Sequence, residues 1–107
     1  MKTQKLSALA KTIRSKNAGV DKITFDVIFA ERASYEQVKK AQVITRQTMA
    51  RLYAIAPERI SDFVEFDPGN AIKFTIYRPR PSGSPGDPDI FGSQQYAPLL
   101  DLEVPIE

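Results

Sequence analysis

Residues 60–66, ISDFVEF, and residues 71–77, AIKFTIY, flank the tetrapeptide Asp67-Pro68-Gly69-Asn70, and this stretch decides the fold. In the second run Ile72, Phe74 and Ile76 alternate with Lys73, Thr75 and Tyr77, the period of a half-buried strand. In the first, Ile60, Val64 and Phe66 are read onto one face, interrupted by Asp62. Proline presets the turn between them, and Gly69 is expected to supply the positive φ of a type II turn. The pair predicts a β-hairpin.

Working outward, residues 23–29 repeat the alternation. Ile23, Phe25, Val27 and Phe29 point one way, and Thr24, Asp26 and Ile28 the other. Ser34-Tyr35-Glu36-Gln37 reads as a capping box that opens a helix ending near Ala41. Thr45 reads as a second N-cap, with Ile44 and Met49 spaced as a hydrophobic staple. Met49, Leu52 and Tyr53 form its apolar stripe, and the helix must stop before Pro57. Residues 6–14 are ambiguous: Leu6, Leu9, Ala10 and Ile13 have helical spacing, while Leu9, Lys11 and Ile13 fit a strand. The tail 99–106 alternates again, with Leu100, Leu102, Val104 and Ile106 against Asp101 and Glu103, and predicts a last strand.

A chain of 107 residues with 42% hydrophobic content fits one domain with one core. There is no cysteine and no histidine. Disulfides, thiolate chemistry, the usual zinc ligands and the Ser-His and Cys-His pairs are therefore excluded. Any proton transfer falls to Lys, Tyr, Asp or Glu. No cofactor and no metal site is expected, and no signal or membrane-spanning run is read, so a cytoplasmic location is the expectation. The formal net charge is +2. Nucleic-acid binding is not expected, because the charge is modest and no aromatic-basic interleaving is present.

Two constellations stand out. Arg14-Ser15-Lys16-Asn17-Ala18-Gly19 compresses two cations, a hydroxyl, an amide and a glycine into six residues. It reads either as an anion-binding turn or as an ordinary polar turn with Asn17 or Gly19 in the left-handed region. The second is the stretch 79–98, which holds five of the eight prolines and three of the five glycines. A loop this long is usually functional or disordered. Ser82, Gly83, Ser84, Pro85, Gly86 and Asp87 suggest a rigid lid, and Gln94, Gln95 and Tyr96 supply neutral groups that orient a ligand. Asp87 and Asp89 alone make a weak cation site. The other reading is a proline-rich connection that covers a sheet edge or meets another subunit. Asp26 lies on the face opposite the apolar set. It is solvated if that face is open, and needs Arg14 or Lys16 as partner if the face is covered.

The pattern of Leu9-Ala10, Ile13 to Gly19, Asp26, Ser82 to Asp87 and Gln94 to Asp101 resembles a small bacterial family of unknown function. That family resembles the C-terminal ferredoxin-like domain of acyclic terpene utilisation (AtuA-like) proteins. Their Arg-Ser-Gly-Asp-Lys-Gly turn corresponds to Arg14, Ser15 and Gly19 here, while Lys16, Asn17 and Ala18 depart from it. The resemblance implies a ferredoxin-like α+β domain in which residues 9–14 form a strand. It also implies a larger catalytic-looking partner and a setting in acyl-CoA or small carboxylic acid metabolism.

The expected architecture is an α+β two-layer sandwich, with about five mostly antiparallel strands and the helices of 34–55 on one face. The expected function is an accessory small subunit that completes an anion, carboxylate or acyl-CoA site with a larger AtuA-like partner. Arg14, Ser15, Lys16, Asn17, Gly19, Ser82, Ser84, Gly86, Asp87, Gln94, Gln95 and Tyr96 are the candidate ligand residues. The alternative is a stand-alone hydro-lyase or isomerase acting on a carboxylate or CoA ester, with Lys16 or Asp26 as catalytic proton-transfer group. A homo-oligomer that uses the loop as an assembly arm is a further reading.

Overall fold

A computed structural model describes residues 2–78 and 96–105. Along the chain run β1 (Thr3–Lys5), α1 (Leu6–Leu9), β2 (Thr12–Asn17), β3 (Lys22–Ile28), α2 (Arg32–Ala41), α3 (Arg46–Leu52), β4 (Ile60–Phe66), β5 (Ala71–Tyr77), α4 (Ala97–Leu100) and β6 (Glu103–Pro105). The alternating runs at 23–29, 60–66 and 71–77 all become strands of one sheet. Its order is β2-β3-β5-β4, and every neighbouring pair is antiparallel. β1 and β6 form a separate two-stranded ribbon. The chain is thus the α+β two-layer sandwich expected from the sequence.

Register follows from which side chains must leave water. Ser15, Phe25, Phe74 and Phe63 are aligned across the four strands. The Phe25 and Phe74 rings stack at 4.6 Å between centroids. Tyr53, which follows α3, closes on Phe25 at 5.1 Å. Ile23, Val27, Ile60, Ile72 and Ile76 complete this inner face, and α2 and α3 add Tyr35, Val38, Met49 and Ala50. Leu6, Leu99 and Val104 extend the same core toward the ribbon. Every sheet residue of this core comes from the inner face.

Several local expectations change. A register shift between Ile60 and Asp62 inserts one extra residue into β4. The bulge turns Ile60 inward and places Asp62, Val64 and Phe66 together on the outer face, because one added residue reverses the alternation. α2 begins at Arg32 with Glu31 at its N-cap and no side-chain cap, so Ser34 lies inside the helix. Tertiary contacts set that start: Arg32 donates to the Asp67 carbonyl and to Asn70 Oδ1. α3 keeps the cap read from sequence. Thr48 N donates to Thr45 Oγ1 at 3.1 Å, and Thr45 N donates to Thr48 Oγ1 at 2.8 Å. The tail forms a helical turn before its strand rather than one continuous strand. Segment 6–14 divides between both of its readings, a helical turn and then a strand from Thr12.

The hairpin turn also departs from type II. Asp67–Gly69 is a 3-10 turn, and the positive φ of 49° falls on Asn70. Asparagine tolerates that region, and its side chain accepts the bond from Arg32. Glycine at 69 has a different cause: a Cβ there would lie 2.9 Å from Phe66 Cδ2. Asp67 also holds the helix layer to the sheet. Buried Tyr35 donates its hydroxyl to Asp67 Oδ1, and Lys39 Nζ reaches the same oxygen at 3.0 Å. The Tyr35 and Lys39 bonds hold the Asp67 carboxyl below the usual carboxylate range. Burial, then the bond to Asp67, raises the Tyr35 phenol, and the bond to Asp67 raises Lys39.

Thr45→Ala should lower unfolding free energy by about 1 kcal/mol, the usual worth of a cap, as read from denaturant midpoints. Asp67 should confer an acid-sensitive stability. Its folded pKa lies below its unfolded one, so the contribution is complete above the unfolded value and fades as pH falls through the folded value. Melting curves of wild type and Asp67→Asn should therefore differ at neutral pH and converge in acid.

Candidate functional site

The same register that aligns the phenylalanines inside aligns Arg14, Asp26, Lys73 and Val64 outside. The next outer row is Lys16, Thr24, Thr75 and Asp62, and the row on the other side ends on Phe66. The threonine hydroxyls of 24 and 75 bond each other at 3.0 Å. None of these outer-face residues belongs to the core cluster, and Val64, Phe66 and Tyr77 are exposed.

Asp26 is the buried charge on this face, where Ala71 and Thr75 are buried as well. Its side chain is only 4% exposed, flanked by Arg14 at 54% and Lys73 at 49%. Arg14 Nε donates to Asp26 Oδ2 at 2.9 Å. Lys73 Nζ lies 3.9 Å from Asp26 Oδ1, close enough for an ion pair and too far for a hydrogen bond. Oδ1 is buried and accepts no hydrogen bond among the described residues. A buried carboxylate is tolerable only when paired. The two cations beside it are half exposed, so their charged heads stay wet. Of the two sequence readings of Asp26, the paired one holds, with Arg14 as partner; the solvated one is corrected by its burial. Lys73 is the member that sequence reasoning missed. Its signal was available: it alternates with Ile72 and Phe74, so it had to share a sheet face with Asp26 once the strands paired.

The cations sit beside aromatic surface. Lys73 Nζ is 5.9 Å from the Phe66 ring centroid and Lys22 Nζ is 5.1 Å from that of Tyr77. The face is therefore basic and apolar at once, with Asp62 as an exposed acid at its edge.

The compact basic turn expected at 14–19 is not one surface. Strand β2 continues through Asn17, so alternation sends Arg14 and Lys16 outward and Ser15 and Asn17 inward. Ser15 is buried and its hydroxyl accepts from Tyr96 N at 3.1 Å. Asn17 Oδ1 accepts from the buried Arg78 at 2.7 Å, and Arg78 N donates to the Asp21 carbonyl at 2.7 Å. These are bonds that close the end of the sheet. Gly19 lies in the turn between β2 and β3 at φ 86°, the left-handed conformation foreseen for it. Tyr96 thus meets β2 on the face away from Arg14 and Lys16. The candidates Ser82, Ser84, Gly86, Asp87, Gln94 and Gln95 lie outside the described residues.

Residues 6–103 match the model of a family described as Domain of unknown function (DUF4387). The chain belongs to that family. The match takes in the whole four-stranded sheet and both helices packed on it. No curated protein and no solved structure matches. Among the described residues, no helix is long and apolar enough to cross a membrane.

Breaking the row from either side should have unequal costs. Arg14→Ala removes from a buried carboxylate the side-chain hydrogen bond it has among the described residues and should destabilise by about 2 kcal/mol. Lys73→Ala removes a longer, half-exposed pair and should cost less than about 1 kcal/mol. Urea denaturation of the two variants tests this order.

Proposed function

We propose that the chain is an accessory small subunit that completes an anion or carboxylate site, of the acyl-CoA or small-acid class, on a larger AtuA-like partner. The observation that carries this reading is the outer row Arg14, Asp26, Lys73 and Val64, with Phe66 exposed beside it and Tyr77 exposed further along the same face. Arg14 and Lys16 are on that face together, which favours them as the anion-binding pair, and Lys73 joins them. An exposed sheet surface of mixed aromatic and cationic character has the composition that protein interfaces favour in Arg, Tyr and Phe. A chain without histidine or cysteine has no Ser-His or Cys-His pair, which favours a supporting role over a catalytic one.

The stand-alone hydro-lyase or isomerase reading draws less support. Asp26 is hemmed in by two cations, and Lys16 is an exposed side chain on an edge strand. Asp26 is already engaged by Arg14, and exposed Lys16 lacks the dry surroundings that general acid–base chemistry needs.

The test is reconstitution. A larger protein retained by the wild-type chain, identified by mass spectrometry and purified separately, should form a stable complex by size exclusion. Phe66→Glu should abolish the complex. Arg14→Ala should preserve the complex and cut its activity at least tenfold. Turnover of carboxylates or acyl-CoAs by the purified small chain alone, or full activity in the Arg14→Ala complex, overturns the reading.

A further inference from the structure

We propose that the Arg14–Asp26–Lys73 row selects a small carboxylate bearing a hydroxyl on the adjacent carbon, with Asp26 Oδ1 accepting the hydroxyl proton. This inference rests on the reading above that the outer face holds an anion, and names the ligand class. Asp26 Oδ2 is occupied by Arg14 Nε at 2.9 Å, while Oδ1 is a buried acceptor with no donor among the described residues. Leaving such an oxygen unsatisfied is costly, and the cost is recovered when a donor arrives. Lys73 Nζ lies 3.9 Å from Oδ1, and its side chain is half exposed. Its unbranched stem turns without backbone change, so Nζ can follow an arriving carboxylate and open Oδ1 to a hydroxyl.

Arg14 uses only Nε within the described structure, which leaves its terminal amino groups for the carboxylate beside Lys73. Charge favours a hydroxyl over an ammonium as the donor. Two cations against Asp26 and one carboxylate balance, whereas an amino acid brings a third cation beside Arg14 and Lys73. A plain carboxylate satisfies the cations and leaves Oδ1 without a bond. A methoxy acid keeps the oxygen but is one methyl larger and has no proton to give.

Titration of the isotope-labelled chain with acetate, glycolate and methoxyacetate, followed by amide chemical shifts, tests this. Glycolate should bind roughly tenfold more tightly than the other two, the scale of one hydrogen bond to a charged group. Asp26→Asn should remove the advantage of glycolate, and Lys73→Met should weaken all three acids alike. Should Asp26→Asn fail to fold, the wild-type contrast between glycolate and acetate decides. Equal affinity for glycolate and acetate overturns the inference and leaves the anion site standing. No saturable shift around residues 14, 26 and 73 with any acid overturns both.

Discussion

The stacked pair Phe25 and Phe74, 4.6 Å apart at the centre of the sheet, sets the constraint under which every other pairing is made. Side chains alternate across a strand, so locking these two rings on one face leaves no freedom in what the other face displays. Arg14 meets Asp26, and Asp26 meets Lys73, because each is one residue away from the aromatic row. Sliding β5 by one residue would bury Lys73 and expose Phe74. The apolar core thus dictates the polar surface on the opposite face of the sheet.

That surface carries its own tension. A carboxylate buried between strands gains little from solvent and depends on its neighbours. Arg14 satisfies one oxygen, while the other has Lys73 near it but no hydrogen bond among the described residues. A core built only for stability would place a threonine or valine at 26, as it does at Thr24 and Thr75 in the adjacent row, where the two hydroxyls satisfy each other. Asp26 is therefore the position where local comfort and the rest of the fold disagree, and such positions are where function tends to be found. Asp67, by contrast, is satisfied from three sides by Tyr35, Lys39 and the solvent and has a structural explanation: it joins α2 to the β4–β5 turn.

Legibility in the sequence tracked the range of the forces involved. The cap at Thr45 and the staple of Ile44 and Met49 were readable because their partners lie within a few residues. The strands at 23–29 and 71–77 were readable because burial against one layer imposes a period of two. The start of α2 was misread at Ser34, since Arg32 is recruited by the distant Asp67 and Asn70. The face of Val64 and Phe66 was misassigned relative to Ile60, since a bulge leaves no mark on residue type. Within the candidate site, Arg14 was one of two partners offered for Asp26 should its face be covered, beside a solvated reading, while Lys73 and the division of residues 14–17 between two faces were not foreseen.

By itself the sequence determined that this chain folds as strands and helices around one apolar core, and that its chemistry must proceed without thiol or imidazole. Composition and short-range periodicity suffice for that, because solvent exclusion acts on each residue independently. Only the tertiary structure decided which polar residues meet. Arg14, Asp26 and Lys73 are brought together from three strands by the pairing of β2, β3 and β5. Register is a collective property of the whole buried face, and no local window of residues encodes it.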